Sequence, residues 1–197
     1  MIILLISGSP GTGKTSVSKE IAKKVNARII TLNLLAQLEG LVSRYDEKRE
    51  TWVINEEKLK KKTLGLIETA KTENIEVLII EGHFVDIIPE KYADLIIILR
   101  CEPSILSQRL RKRGYKEQKV KENIQSEILG NCVNYFIENK AQKPLYEIDT
   151  SKLSINQLRD EIIKIIYDKE YSKIYKLGQI DWLEMLFNSN QLMKYFD

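Results

Sequence analysis

Residues 8 to 15 read Gly8-Ser9-Pro10-Gly11-Thr12-Gly13-Lys14-Thr15, a full match to G-x-x-x-x-G-K-[ST] with an extra glycine at Gly11. The pattern suits an anion. Glycines let the backbone coil with its N–H groups turned inward. A helix starting at Lys14 adds free N–H groups and the positive end of its dipole. The dipole alone contributes only about 0.3–1 kcal/mol at an exposed site, so the lysine and the converging amides must do most of the holding. In such a loop Lys14 bridges the β- and γ-phosphates of a nucleotide, and the Thr15 hydroxyl ligates Mg²⁺. The bland alternative is a glycine-rich β–α turn with no ligand. The position of the match, between a strand pattern and a helix pattern, favours phosphate.

Two more stretches carry chemistry. Glu81-Gly82-His83 follows the apolar run VLII. A carboxylate at the end of a buried strand beside a phosphate loop can orient Mg²⁺ and its waters. Glu81 is therefore the metal candidate, against the alternative of a solvated strand end. His83 is the only histidine, which excludes a two-histidine metal site within the chain. In the same cleft it could orient water or touch a phosphate. The third stretch is basic: Arg109, Arg111, Lys112, Arg113, Lys116, Lys119 and Lys121 crowd around Gly114-Tyr115. A solvated face is one reading. Phosphoryl transfer, however, needs cations around the migrating group, and a supplied arginine can be worth about 10³–10⁵ in rate. A basic flap closing over a nucleotide would also exclude water. Lys58 with Lys60 to Lys62 reads as a solvated helix face. Cys101 and Cys132 form neither a CxxC nor a zinc pattern and read as reduced core residues.

The elements that must position these residues alternate. Ile2 to Ser7 is a short, β-branched apolar run, as in a strand buried on both faces; Val77 to Glu81 and Leu95 to Arg100 read as further strands, and Arg28 to Thr31 and Leu145 to Asp149 are strand candidates. Between them lie helical patterns. One covers Lys14 to Val25, one Leu32 to Leu38 (ended by Gly40), and one runs from an Asn55 cap to about Thr72. A helix begins at Pro103, and a long one carries Val120, Ile124, Ile128, Cys132 and Phe136 every four residues. A capping box at Ser154 and Gln157 opens another, and the tail is helical in pattern around Asp181 to Phe187. Leu41 to Ile54 reads as polar and irregular. Such alternation predicts an α/β fold, a parallel sheet with helices on both faces. Ligands then sit beyond the carboxyl ends of the strands, after Ser7, Glu81 and Arg100.

The chain has 197 residues, 43% hydrophobic and 30% charged, enough for one domain with a real core. Its formal net charge of +3 argues against nucleic-acid binding driven by bulk charge. No apolar run approaches the ~18 residues of a membrane span. The opening MIILLISGSPGTGK lacks a basic flank and a cleavage site, so it does not read as a signal peptide. A cytoplasmic protein is the expectation.

On these motifs the chain resembles the adenylate kinase isoenzyme 6 family of archaea and eukaryotes. The resemblance rests on GSPGTGKTS, on GLVSRYDEKRETWVINEEKL (40–59), on the EGH of 81–83, and above all on LRCEPSILSQRLRKRGYKEQKVKENIQSEI (99–128), with its RGY and ENIQ-x-E elements. It covers about residues 1–165. It implies a P-loop nucleoside-monophosphate-kinase fold with a five-stranded parallel sheet and a short lid. The single kinase domain, 1–197, would hold an acceptor region at 31–54, a lid at 112–122 and a helical C-terminal extension at 168–197. ATP and Mg²⁺ are the implied cofactors, and AMP the acceptor. By position, the ATP phosphates would meet Gly11, Gly13, Lys14, Thr15 and Ser16. Arg113 would contact ATP, and Lys152 would lie near the adenine. Lys14, Arg113 and Arg109 would stabilise the transferring charge, Thr15 and Glu81 would hold the metal, and His83 would share the catalytic cleft. The family also implies a ribosome-assembly ATPase that escorts a small-subunit ribosomal protein to the pre-ribosome, with no sequence-specific nucleic-acid binding. An assembly ATPase with little kinase activity is the alternative reading. Two departures stand out. Glu81 replaces the family's usual Asp, which changes the metal's reach. Gln37 stands where some members carry an acceptor-binding arginine, for which Arg44 is the available substitute.

Overall fold

The computed structural model describes residues 1–47, 51–168 and 174–196. Residues 48–50 of the predicted acceptor region, and 169–173 and 197 of the predicted C-terminal extension, lie outside the described residues. The order is β1 (Ile2–Ser7), α1 (Lys14–Ala22), β2 (Ala27–Thr31), α2 (Leu32–Leu38), β3 (Val42–Asp46), β4 (Thr51–Ile54), α3 (Glu56–Lys71), β5 (Val77–Glu81), β6 (Leu95–Arg100), α4 (Pro103–Lys112), α5 (Glu117–Ile128), α6 (Asn131–Glu138), β7 (Leu145–Asp149), α7 (Ile155–Tyr167) and α8 (Trp182–Asn188).

Five strands form one parallel sheet in the order β2-β5-β1-β6-β7. The period of two along each strand sorts its side chains onto two faces. Ile3, Leu5, Leu78, Ile80, Ile96 and Ile98 face α2, α3 and α6 through Leu32, Leu59, Ile67 and Phe136. Leu4, Ile6, Ile79, Ile97 and Leu99 face α1 and α7 through Val17, Ile21, Leu158 and Ile162. A third cluster joins α4, α5 and α8 around Leu106, Leu110, Ile124, Trp182 and Leu186. Each such side chain contributes about 1.5–3 kcal/mol by leaving water. The predicted sheet and its helical faces are thus present. The capping box at Ser154 and Gln157 and the Asn55 cap form as expected.

The structure corrects three sequence expectations. Leu41 to Ile54 is not irregular: β3 and β4 form an antiparallel hairpin, with Tyr45 opposite Trp52. Its rings pack against each other at 5.1 Å and both stay exposed, so no buried face imprints a period-two pattern on the sequence. The long helix expected after the basic stretch is two helices. Gly130 breaks it with φ 65, a left-handed conformation that a period-four apolar pattern cannot reveal. Helix α1 ends at Ala22, earlier than the expected Val25. No described helix is long and apolar enough to cross a membrane.

Beyond residue 173 the chain returns to the sheet. Lys176 makes an antiparallel bridge to Tyr146, and the Glu147 N–H donates to the Tyr175 carbonyl at 3.1 Å. This segment lies along the open edge of β7 and leads into α8.

Candidate active site

The carboxyl ends of β1, β2 and β5 converge, because Glu81 pairs in register with Thr31 on one side and Ile6 on the other. The phosphate loop leaves the end of β1 at this point. Its glycines are there for conformation and for space. Gly8 has φ 138, and a Cβ there would lie 2.4 Å from the Leu99 carbonyl oxygen; at Gly11 it would lie 2.8 Å from Leu106 Cδ1. Gly13 occupies the N-cap of α1 with φ 108 and supplies no side-chain cap. The first turn of α1 carries no acidic residue either, so its free N–H groups are left for an anion.

Lys14 is buried, and its ammonium donates to the carbonyls of Gly8 (2.6 Å) and Ser9 (3.0 Å). Burial lowers its pKa, while Cys132, Glu81 and Glu127 pull the other way. The lysine is therefore held back along the loop, within its own cavity. Thr15 Oγ1 donates to Glu81 Oε1 at 2.8 Å, and Thr31 Oγ1 donates to the same oxygen at 2.7 Å. A hydroxyl and a carboxylate side by side are hard oxygen donors, the kind Mg²⁺ takes while keeping water and phosphate oxygens in its remaining positions. Among the described residues no cluster of three or more His, Cys, Asp and Glu exists that could cage a metal alone. The donor set fits Mg²⁺ completed by phosphate. It also answers the length of Glu81: the longer side chain still reaches Thr15.

Gly11, Gly13, Lys14, Thr15, Ser16 and Arg113 line one cavity of ≈ 190 Å³, together with Glu81 and His83. The structure thus gathers most of the predicted site residues. Two further cavities share lining residues with it. One, of ≈ 490 Å³, runs between the phosphate loop and α5 to α6, past Tyr115, Lys119 and Asn123. The other, of ≈ 600 Å³, lies under the hairpin and is walled by Gln37, Trp52, Phe84 and Lys119. Asn33 and His83 border all three. The His83 ring stands edge-on to Phe84 at 4.2 Å. The surrounding protein pushes its pKa down to about 4, and Lys14 and Lys119 push in the same direction. Its ring opens onto the cleft, where water weakens the shift. The direction leaves it a neutral imidazole at neutral pH, able to accept or donate a hydrogen bond.

Other predicted residues stand elsewhere. Arg109 does not line the phosphate cavity. Its guanidinium donates to Thr150, at 2.7 Å to the carbonyl and 3.2 Å to the hydroxyl, and so ties α4 to the end of β7. Lys152, expected near the adenine and not at the phosphates, is exposed in the β7–α7 loop. Arg44 projects from the exposed hairpin and does not line the cavity that Gln37 lines. Lys119 does, with its ammonium 5.8 Å from the Tyr115 ring centre. In the sequence Lys119 is one of seven cations, and nothing but its place in the fold separates it from the rest. Asn33 and Trp52 fall within the expected acceptor region, where the sequence assigns them no role.

One more residue figures in the sequence only as the last letter of ENIQ-x-E, with no role attached. Glu127 is 1% exposed, on the face of α5 that otherwise buries Val120, Ile124 and Ile128. Its Oε2 accepts from Ser9 Oγ of the phosphate loop at 2.6 Å. Its Oε1 accepts from Arg100 Nε (2.8 Å), the Cys101 N–H (3.0 Å) and Trp182 Nε1 (3.1 Å). Arg100 also donates to Glu147 Oε1 at 2.8 Å. Burial lowers the arginine's pKa, but the two carboxylates outweigh it, and the net direction is upward. A carboxylate breaking an apolar helical face was the available signal.

The family described as "AAA domain" matches residues 4–130. Relatives named "Putative adenylate kinase" align over nearly the whole chain. That of Methanocaldococcus jannaschii is 37% identical over 94% of this chain and 95% of its own length. That of Methanosarcina barkeri is 36% identical over 94% of this chain and all of its own. Among solved structures, a deoxyadenosine kinase from M. mycoides with bound dATP superposes with a TM-score of 0.53 at 18% identity. The match covers 84% of this chain and 99% of that one. At that identity the likeness is one of fold.

Proposed function

The chain belongs to the AAA domain family, relatives named "Putative adenylate kinase" match it almost end to end, and we propose that it is a Mg²⁺-dependent nucleoside monophosphate kinase. The reaction is ATP + AMP → 2 ADP. One observation carries the reading. The phosphate-loop cavity shares a wall, Asn33 and His83, with a second and larger space that has aromatic side chains and a lysine. A hydrolase needs room only for water beside the γ-phosphate. A space of ≈ 600 Å³ suits a nucleotide-sized acceptor.

The division of labour follows from position. The loop amides and Lys14 hold the ATP phosphates. Thr15 and Glu81 would hold Mg²⁺, which would supply positive charge against that of the ATP phosphates. Trp52 and Phe84 offer apolar faces to the acceptor base. Lys119 and Asn33 meet the acceptor phosphate, in the role that the resemblance would give to an arginine at position 37. Neutral His83 sits between the two phosphates and donates a hydrogen bond without adding charge. An oxygen of the acceptor phosphate attacks the γ-phosphorus, and the bond from that phosphorus to the β–γ bridging oxygen breaks. Arg113, exposed at the mouth of the loop cavity, closes on the transferring group. Positioning and charge make up the mechanism, with no covalent intermediate on the protein. Membership of the isoenzyme 6 group within this family, and ATP as the donor, are part of the same proposal. The ribosome-assembly role rests on the resemblance alone.

The test is direct. Protein with ATP and Mg²⁺ is assayed for ADP with and without AMP, then with CMP and dAMP. AMP should raise ADP formation by orders of magnitude. An ATPase rate indifferent to every monophosphate would leave only the hydrolase reading.

A further inference from the structure

The buried Glu127 connects two places that the sequence holds far apart, the phosphate loop and the segment beyond residue 173. An ionised carboxylate in an apolar interior is costly unless its oxygens are fully engaged. Here every partner is specific, and two of the sources matter. Ser9 comes from the loop. Trp182 comes from the first turn of α8. The same segment engages the other half of the network. The Gly178 N–H donates to Glu147 Oε2 at 2.6 Å, and the Ile180 carbonyl accepts from Arg100 Nη1 at 3.4 Å.

Ser9 is fixed from both sides. Its hydroxyl is turned into the protein by Glu127, and its carbonyl accepts from Lys14 Nζ and from Thr12 Oγ1 at 2.9 Å. The rotation of the Ser9–Pro10 part of the loop, and with it the resting place of Lys14, follows from where Glu127 points. We propose that Glu127 and Trp182 are positioning residues of the nucleotide site, and that the 178–182 segment completes the phosphate loop through them. Neither residue touches nucleotide; each acts on it through Ser9. The inference rests on the phosphate-binding half of the function proposed above and not on the identity of the acceptor.

The test uses full-length protein and ATP with Mg²⁺ as the probe, with no acceptor present. Trp182→Phe keeps the ring and loses the N–H donor. Ser9→Ala removes the other end of the link. Circular dichroism and melting curves establish that each variant is folded at the assay temperature. Each single variant should weaken ATP binding by about three- to tenfold, the share of one charge-assisted hydrogen bond that reaches the ligand. The double variant should be no weaker than the worse single one, because both cut the same connection. Unchanged ATP affinity in Trp182→Phe, even with a lower melting temperature, would make the network merely structural and overturn the proposal. Effects that multiply in the double variant would overturn it too. Wild-type protein that binds ATP but does not phosphorylate AMP would sink the kinase reading and leave this inference standing. Failure of the wild type to bind ATP would end both.

Discussion

At the scale of single residues, the site depends on placement more than on residue type. Lys119 and Lys121 are neighbours in sequence and identical in chemistry, yet Lys119 borders the cavities beside the loop. Lys119→Ala should raise the KM for AMP about tenfold or more, as expected for losing a charged contact to phosphate. The KM for ATP should stay within about twofold, and steady-state kinetics against each nucleotide separates the two. Equal effects on both would place Lys119 on the donor side. The same scale shows what the sequence could disclose. Gly8 to Thr15 is legible because its backbone conformation demands glycine at fixed offsets. Glu81 is legible because a buried strand ends there. Arg109 shows what the sequence leaves out: its place in a cationic run does not disclose that its guanidinium donates to Thr150 in the fold.

At the scale of elements, β1, β5 and β6 were the most readable because both faces of each are covered, which forces continuous apolar runs, whereas the edge strands β2 and β7 are only partly buried. The β3–β4 hairpin was not readable, since both of its rings remain in solvent and its pairing is purely local. That exposure has a use. Trp52 borders the larger cavity, and a ring there can stack on a base. Trp52→Ala should raise the KM for AMP roughly tenfold, within the range of one base–aromatic stack, and leave ATP binding alone. Wild-type fluorescence supplies a second readout. Trp182 is buried and Trp52 is not, so a change in emission on adding AMP that disappears in Trp52→Ala belongs to the hairpin. The break at Gly130 likewise escaped the sequence. Its effect is to turn α6 back over the sheet, so that Val133 and Phe136 close the core beside the cleft.

At the scale of the whole molecule, Arg100 ties together β6, α5, β7 and the returning segment. Arg100→Ala would leave Glu127 and Glu147 buried without their shared cation. Breaking such a network costs about 3–5 kcal/mol, which at this chain length lowers the melting temperature by roughly 6–20 °C. Adding Glu127→Gln and Glu147→Gln to the same chain should recover part of the loss. A thermal melt unchanged by Arg100→Ala would show the network to be energetically idle.

The order of strands in the sheet also bears on how the molecule comes into being. The strand that leads into the phosphate loop precedes every other strand of its sheet in the chain, yet it lies in the middle. Its neighbours on either side begin at Val77 and Leu95. Until those residues have been synthesised, Ile2 to Ser7 is an apolar ribbon with both hydrogen-bonding edges open. Closing that distance carries a large entropic cost before any contact repays it. A growing chain therefore leaves this apolar segment unpaired until the strands at Val77 and Leu95 follow it, and the loop that reads phosphate takes shape only when those later strands arrive to flank it.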